Sequence, residues 1–229
     1  MKWLALPRIP EPEVMGDADE VEAYTSAATQ AYLDAVDDTF VEQALCFGPL
    51  KGWLLDLGTG PGCIPLKIAR RSPELRVVGV DRSLPMVRAA RRAAAREKLD
   101  GQAFFMLADA ARLSFRDAFF HVVICNSLLH HLPQPVAVFN EMARVAKPEG
   151  LVLLRDLRRP SRLAFPFHVR WHGRHYSGTM RRLYRDSVRA AYTATELAQL
   201  LQGSALADAQ TFRHRRTHLG FYRAGREQV

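Results

Sequence analysis

A chain of 229 residues with 48% hydrophobic and 24% charged side chains can build one α/β domain with a full core and is too short for two comfortable ones. Its longest apolar runs are strand-length, far below the roughly 20 residues of a membrane helix. Pro7 and Pro10 interrupt the first segment before a signal-peptide core can form, so the expected location is cytoplasmic. The net charge of +8 is unevenly placed: residues 1–154 hold 17 Lys and Arg against 19 Asp and Glu, whereas residues 155–229 hold 15 against 5 and five of the eight His. Such a field suits an anionic substrate or a nucleic acid, and equally an Arg-rich solvated surface.

Residues 1–16, rich in Pro and Glu, read as an irregular leader, followed by a single domain over 17–229. Over 17–47 Ala and apolar residues interleave with acids without Gly or Pro, a helical pattern ended by Gly48-Pro49. Strands and helices then alternate: strand 53–57, helix 62–71, strand 75–80, helix 84–98, strands 103–107 and 121–125, helix 136–146 stopped by Pro148 and Gly150, and a buried strand at 151–155. This rhythm implies a parallel sheet covered on both faces. Past Asp156 it breaks, and 157–192 reads as a lid-like insertion of loop and short helices, rich in Arg, with a His/Tyr/Trp cluster. Thr193 then caps a helix of about ten residues, with Glu196 at the capping-box position, and 207–213 with 218–223 close the chain as a hairpin. Cys46, Cys63 and Cys125 are odd in number and form no C-x-x-C pair. They read as reduced core residues, not as a disulfide framework or a zinc site.

The most informative stretch is Leu54-Leu-Asp-Leu-Gly-Thr-Gly-Pro-Gly62. A strand runs into Gly58, Gly60 and Gly62, and a helix follows. Glycines at alternate positions permit positive φ and close approach of backbone to a nucleotide, and the N–H groups at the helix start face the ligand. Asp81 ends the next strand, about twenty residues on, where a carboxylate can accept both ribose hydroxyls. A dinucleotide dehydrogenase shares this pattern. Two residues argue against it: Asp56, an anion inside the strand where a cationic ligand or loop amides would want one, and Pro65, where the dinucleotide pattern prefers Gly or Ala.

The runs LLDLGTGPG and VVGVDRS, the segment Leu107-Ala-Asp-Ala110, the run Cys125-Asn-Ser-Leu-Leu-His-His-Leu132 and Arg144-Val-Ala-Lys-Pro-Glu-Gly150 stand in the order and spacing of class I S-adenosylmethionine-dependent methyltransferases. The chain resembles that family over roughly residues 20–157, most of all the broad group acting on small molecules. The resemblance implies a Rossmann-like α/β fold: a mostly parallel seven-stranded sheet, helices on both faces and a C-terminal antiparallel strand. It implies S-adenosylmethionine as cofactor, with Gly58, Thr59 and Gly60 around its methionine end and Asp56 orienting the loop or meeting the amino group. Asp81 matches the ribose-binding acid, Arg82 and Met86 flank the adenine, and Asp109 with Ala110 receives the adenine edge. Asn126 falls near the sulfonium, and Tyr24 on a helix that closes over the cofactor.

Methyl transfer from a sulfonium is an in-line displacement, so the protein mainly supplies position and electrostatic setting. A base is needed where the acceptor is protonated, and His130, His131 and Asp156 are the candidates. The histidine pair has no third ligand at suitable spacing, so no metal is expected. Loops beyond the carboxyl ends of parallel strands line the pocket, which gives the insertion the choice of substrate. Its Arg158, Arg159, Arg162, His168, Arg170, Trp171, His172, Arg174, His175 and Tyr176 suit a small anionic or aromatic acceptor. Three other functions stand beside this one. A nucleic-acid methyltransferase would use the basic last third, although the fourth strand ends in Asn-Ser-Leu-Leu and lacks the Asn/Asp-Pro-Pro-aromatic run of the amino-methylating enzymes. A non-catalytic cofactor-binding protein is the second, against which the intact loop and both acids argue. A metalloid methyltransferase would be expected to carry a dedicated cysteine set.

Overall fold

The strands are Val-, Ile- and Leu-rich runs bounded by Gly, Pro and Asp, and their neighbouring residues point to opposite faces of the sheet. The computed structural model describes residues 4–11, 27–48 and 51–224. Tyr24 and residues 17–26 of the expected first helix lie outside them. β1 (Gly52–Leu57), β2 (Leu75–Asp81), β3 (Ala103–Leu107), β4 (Phe120–Asn126), β5 (Ala146–Leu157), β6 (Gln210–His214) and β7 (His218–Arg223) form one sheet in the order β3-β2-β1-β4-β5-β7-β6. The first five strands pair in parallel; β7 is antiparallel to both β5 and β6. The expected mostly parallel seven-stranded sheet with a C-terminal antiparallel strand is the observed fold.

Alternation along each strand divides the core in two. Leu55, Val123, Val152 and Leu154 face one side, packed with Phe139 and Met142 of α4 (Pro135–Val145) and Leu197 and Leu201 of α7 (Ala194–Gln202). Their neighbours Leu54, Val122, Leu151 and Leu153 face the other side. There they meet Phe40 and Val41 of α1 (Ala27–Phe47), Leu66 and Ile68 of α2 (Cys63–Arg71) and Val87 of α3 (Leu84–Arg96). The capping box of α7 is formed in full: Thr193 accepts from the Glu196 N–H, and the Glu196 carboxylate accepts from the Thr193 N–H.

Three local differences from the sequence reading have physical causes. β5 begins at Ala146, not at 151, because the pairs Phe120↔Ala146 and Val122↔Leu151 leave 147–150 bulged out of the ladder, which accommodates Pro148. The insertion holds, besides the short α5 (Phe165–His172), the thirteen-residue α6 (Gly178–Ala190), with Met180, Leu183 and Val188 buried. Its many arginines mask a stripe at i, i+3 and i+8. Cys46 is exposed, so only Cys125 of the three cysteines is a fully buried core residue.

Residues 5–11 form neither helix nor strand but are tied to the domain. Leu6 is buried, the Ile9 N–H donates to the Arg189 carbonyl, and the Arg8 guanidinium donates to the carbonyls of Ala190 and His130. No helix among the described residues is long and apolar enough to cross a membrane.

Candidate functional site

The strand order reverses between β1 and β4, and crevices outside the carboxyl ends of strands at such a switch point take ligands. A cavity of about 540 Å³ opens there, within the ordinary range for small-molecule sites. Each of the five parallel strands contributes at or just past its carboxyl end: Gly58, Asp81, Asp109, Asn126 and Leu157 all line it.

The glycine loop forms one wall. Gly58, Gly60 and Gly62 have φ of 68, 54 and 85°, in the left-handed region that only glycine enters without strain. At Gly58 a Cβ would come within 2.9 Å of Leu128, whereas at Gly60 it would meet nothing within 4 Å, because Gly60 faces the open cavity. The loop is fastened to β2: the Gly58 and Thr59 N–H groups donate to the Val80 carbonyl, and the Gly60 N–H donates to Asp81 Oδ2 at 2.8 Å. Asp81 Oδ1 accepts the Ser83 N–H at 2.8 Å. Burial pushes the Asp81 pKa up although both amides oppose it. The carboxylate therefore organises its own loop while facing the cavity.

Gly58, Gly60, Asp81, Arg82, Met86, Asp109, Ala110 and Asn126 all line this cavity. Asp56 and Thr59 line a smaller adjoining recess, together with Gly58, Gly60 and Asn126. Asp56 is 2% exposed, and burial pushes its pKa up to about 7, so it is a carboxyl that a cation would readily ionise. Asp109 Oδ1 accepts the Ala111 N–H at 2.9 Å, which fixes the turn after β3. Asn126 is held by Arg155, whose Nε donates to Asn126 Oδ1 at 3.0 Å. Arg155 itself is fully buried. Its other nitrogens donate to Thr39 Oγ1 at 2.7 Å and to the Val36 carbonyl at 3.0 Å, and it lies 4.9 Å from the centre of the Phe40 ring. It ties α1 to the ends of β4 and β5. A charged residue ending an otherwise apolar strand was its only trace in the sequence.

The three candidate acid–base residues come together. His130 Nδ1 lies 2.7 Å from Asp156 Oδ1, and Asp156 Oδ2 accepts the His130 N–H at 3.2 Å. Asp156 also accepts the Leu157 N–H. Burial opposes charge on both groups. Their mutual attraction outweighs it, holding the His130 pKa above and the Asp156 pKa below the usual values. His130 and His131 line the cavity, and Asp156, 1% exposed, stands behind His130. The fold also supplies what the sequence reading did not find, a third potential ligand beside the pair: Glu11, from the leader.

The opposite wall comes from α6 and from the turn between β6 and β7. Of the insertion residues singled out in the sequence, His172 and Tyr176 line the cavity. Arg159 is buried, donating to the Ala191 carbonyl and to the half-buried Glu196 carboxylate, and Arg158 donates to the Arg216 carbonyl. The wall is instead made by Met180, Leu183 and Tyr184 of α6, whose helical spacing is masked in the sequence by the surrounding arginines. Arg215 and Arg216 from the β6–β7 turn and His218 at the start of β7 complete it. Burial drives the His218 pKa down to about 3, so this imidazole is neutral.

A seven-stranded sheet with an antiparallel β7 and a glycine loop after β1 defines the class I methyltransferase fold. Comparison with known proteins agrees. Residues 55–154 match the family model described as a methyltransferase domain. The chain is 37% identical over 118 residues to a demethylmenaquinone methyltransferase of Roseiflexus castenholzii, a match covering 51% of this chain and 48% of that protein. It is 30% identical over 162 residues to the ubiquinone/menaquinone biosynthesis C-methyltransferase of Desulfotalea psychrophila, covering 70% of this chain and 64% of that one. Its fold resembles the crystal structure of a SAM-dependent methyltransferase from Aquifex aeolicus, with a TM-score of 0.64 and 17% identity over 90% of this chain and 97% of that one. These similarities support a class I S-adenosylmethionine-dependent methyltransferase family for the chain. The chain spans about half the length of the first of these relatives.

Proposed function

We propose that this protein transfers a methyl group from S-adenosylmethionine to a small acceptor with aromatic or extended apolar character. One observation carries the reading: a single cavity joins the Gly60–Asp81 cradle to the His130–His131 pair and to the apolar face of α6. The residues present fit the cofactor, since Gly60 leaves open the space that a Cβ would enter and a carboxyl stands at each end of the cradle, Asp81 and Asp56. When bound, the cofactor supplies an electrophilic methyl on a sulfonium.

The rest is positioning by the chain. Asp81 holds the ribose and Asp109 with Ala110 the adenine edge, with Met86 and Arg82 beside the ring. Asp56, through the recess it shares with Thr59, faces the amino end of the cofactor. Asn126, fixed by Arg155, borders the reaction zone. Tyr176, Met180, Leu183 and Tyr184 exclude water and orient the acceptor, which favours in-line attack. His130 and His131 meet the acceptor and handle its proton, with Asp156 acting through His130 as a positioning residue. Arg215 and Arg216 at the same cavity suit an acceptor carrying an anionic group.

The relatives named for quinone biosynthesis support a small-molecule acceptor, as does an acceptor wall made by α6 side chains in a concave site. The test has two steps. Calorimetry should detect binding of S-adenosylhomocysteine and none of NAD. Incubating the protein with labelled S-adenosylmethionine and a small-molecule extract should place label in a product identified by mass spectrometry. Binding of NAD without a response to S-adenosylhomocysteine would refute the proposal, and label appearing only in RNA or DNA would replace the acceptor class.

A further inference from the structure

Glu11 lies near the start of the chain and His130 and His131 near its middle, yet each offers one donor atom to a common point, all within 4.8 Å of one another. Glu11 Oε2 lies 3.8 Å from His130 Nε2 and 3.7 Å from His131 Nδ1. It is buried, and it makes no hydrogen bond among the described residues. These separations are too long for N–H···O hydrogen bonds, which would draw the atoms to about 2.9 Å. They are close to the spacing around a tetrahedral ion, where ligands at about 2.0–2.2 Å sit about 3.4 Å apart. From these distances we infer that Glu11, His130 and His131 form a binding site for one divalent transition-metal cation of the zinc class.

The surroundings are those of a metal site. Asp156 takes the Nδ1 side of His130 at 2.7 Å, which turns the Nε2 lone pair toward Glu11, the carboxylate–histidine arrangement that orients metal ligands. Ser187 Oγ donates to Glu11 Oε1 at 3.3 Å, leaving Oε2 as the inward atom. Two imidazoles and one carboxylate favour zinc, cobalt or ferrous iron over magnesium or calcium, which prefer all-oxygen sets. Asp156 adds negative charge behind the ligands and, with Glu11, outweighs the nearby Arg8.

The cation belongs at the cavity wall, because both histidines line the cavity. If the methyl-transfer reading holds, on which this last step rests, the cation would meet an acceptor oxygen or nitrogen. It would then lower the pKa of that group as a Lewis acid, in place of proton uptake by the histidines.

The test uses the whole chain, stripped with a chelator and titrated with Co(II), then with Zn(II). One equivalent of Co(II) should bind with the visible bands of a four- or five-coordinate N/O site, and Zn(II) should bleach them. Glu11→Gln and His131→Ala should each weaken Co(II) binding tenfold or more, with the fold of each checked by circular dichroism. If Glu11→Gln detaches the leader and does not fold, His131→Ala alone decides. Absence of stoichiometric Co(II) binding, or equal affinity in the folded variants, overturns the site. S-adenosylhomocysteine binding to the stripped wild type is measured in parallel. Its loss refutes the methyltransferase reading, while its persistence without Co(II) binding refutes the metal site alone.

Discussion

Replacing Asp56 by Asn should change stability in a pH-dependent way. The wild-type carboxyl is fully buried, and its pKa is raised from 3.8 to about 7. Its folded value thus lies above its unfolded value, so its contribution to stability is fullest below about pH 4 and declines as pH rises through 7. Between pH 5 and pH 8 the linkage relation gives a loss of about 2–3 kcal/mol, mostly complete by pH 7. Asn cannot ionise, so urea denaturation of the ligand-free proteins should show Asp56→Asn gaining on the wild type by about that amount over this interval. The ligand reverses the sign. A cationic amino group at the recess favours the ionised carboxyl, so S-adenosylhomocysteine should bind the wild type more tightly at pH 8 than at pH 6, with proton release detectable by calorimetry in buffers of different ionisation enthalpy. Asp56→Asn should bind more weakly at pH 8 and release no such proton. A wild-type-to-variant stability difference that stays constant from pH 5 to 8 would refute the argument.

Asp81→Ala should weaken S-adenosylhomocysteine binding by about 2 kcal/mol or more, since bonds to a charged acceptor are each worth roughly 1.5–3 kcal/mol and the loop N–H of Gly60 loses its anchor as well. Asp109→Ala should cost less, and calorimetry giving the opposite order would misplace the ribose. Arg155→Met leaves Thr39 Oγ1 and Asn126 Oδ1 without the guanidinium donor and the Val36 carbonyl with the Thr39 hydroxyl in its place. It should lower unfolding stability by about 2 kcal/mol or more, and an unchanged urea midpoint would show that α1 does not depend on this tie. Leu183→Ala with Tyr184→Ala should raise KM for the acceptor while leaving cofactor affinity nearly intact, and a loss confined to cofactor binding would move the acceptor away from α6.

The proposed cofactor half of the site was traceable in the sequence because its parts are local. A glycine loop between a strand and a helix, an acid at the next strand end and an acid after the third strand each declare themselves within a few residues, through φ restrictions and strand periodicity that act over that range. The parallel order of β1 to β5 follows in the same way from alternating apolar runs and helices. The helix α6 was equally local, but its Met180, Leu183 and Val188 were hidden among arginines, and the charge count of the region spoke louder than its stripe. What only the tertiary structure decided is the meeting of residues far apart in the chain. Glu11 reaches His130 and His131 across more than a hundred residues because the leader docks along the end of α6. Arg155 finds Thr39 and Asn126 because β5 ends beneath α1. Arg215 and Arg216 enter the cavity because β7 turns back antiparallel beside β5. No spacing rule encodes such contacts, since they depend on how whole elements pack against one sheet, and the proposed acceptor side is built from them.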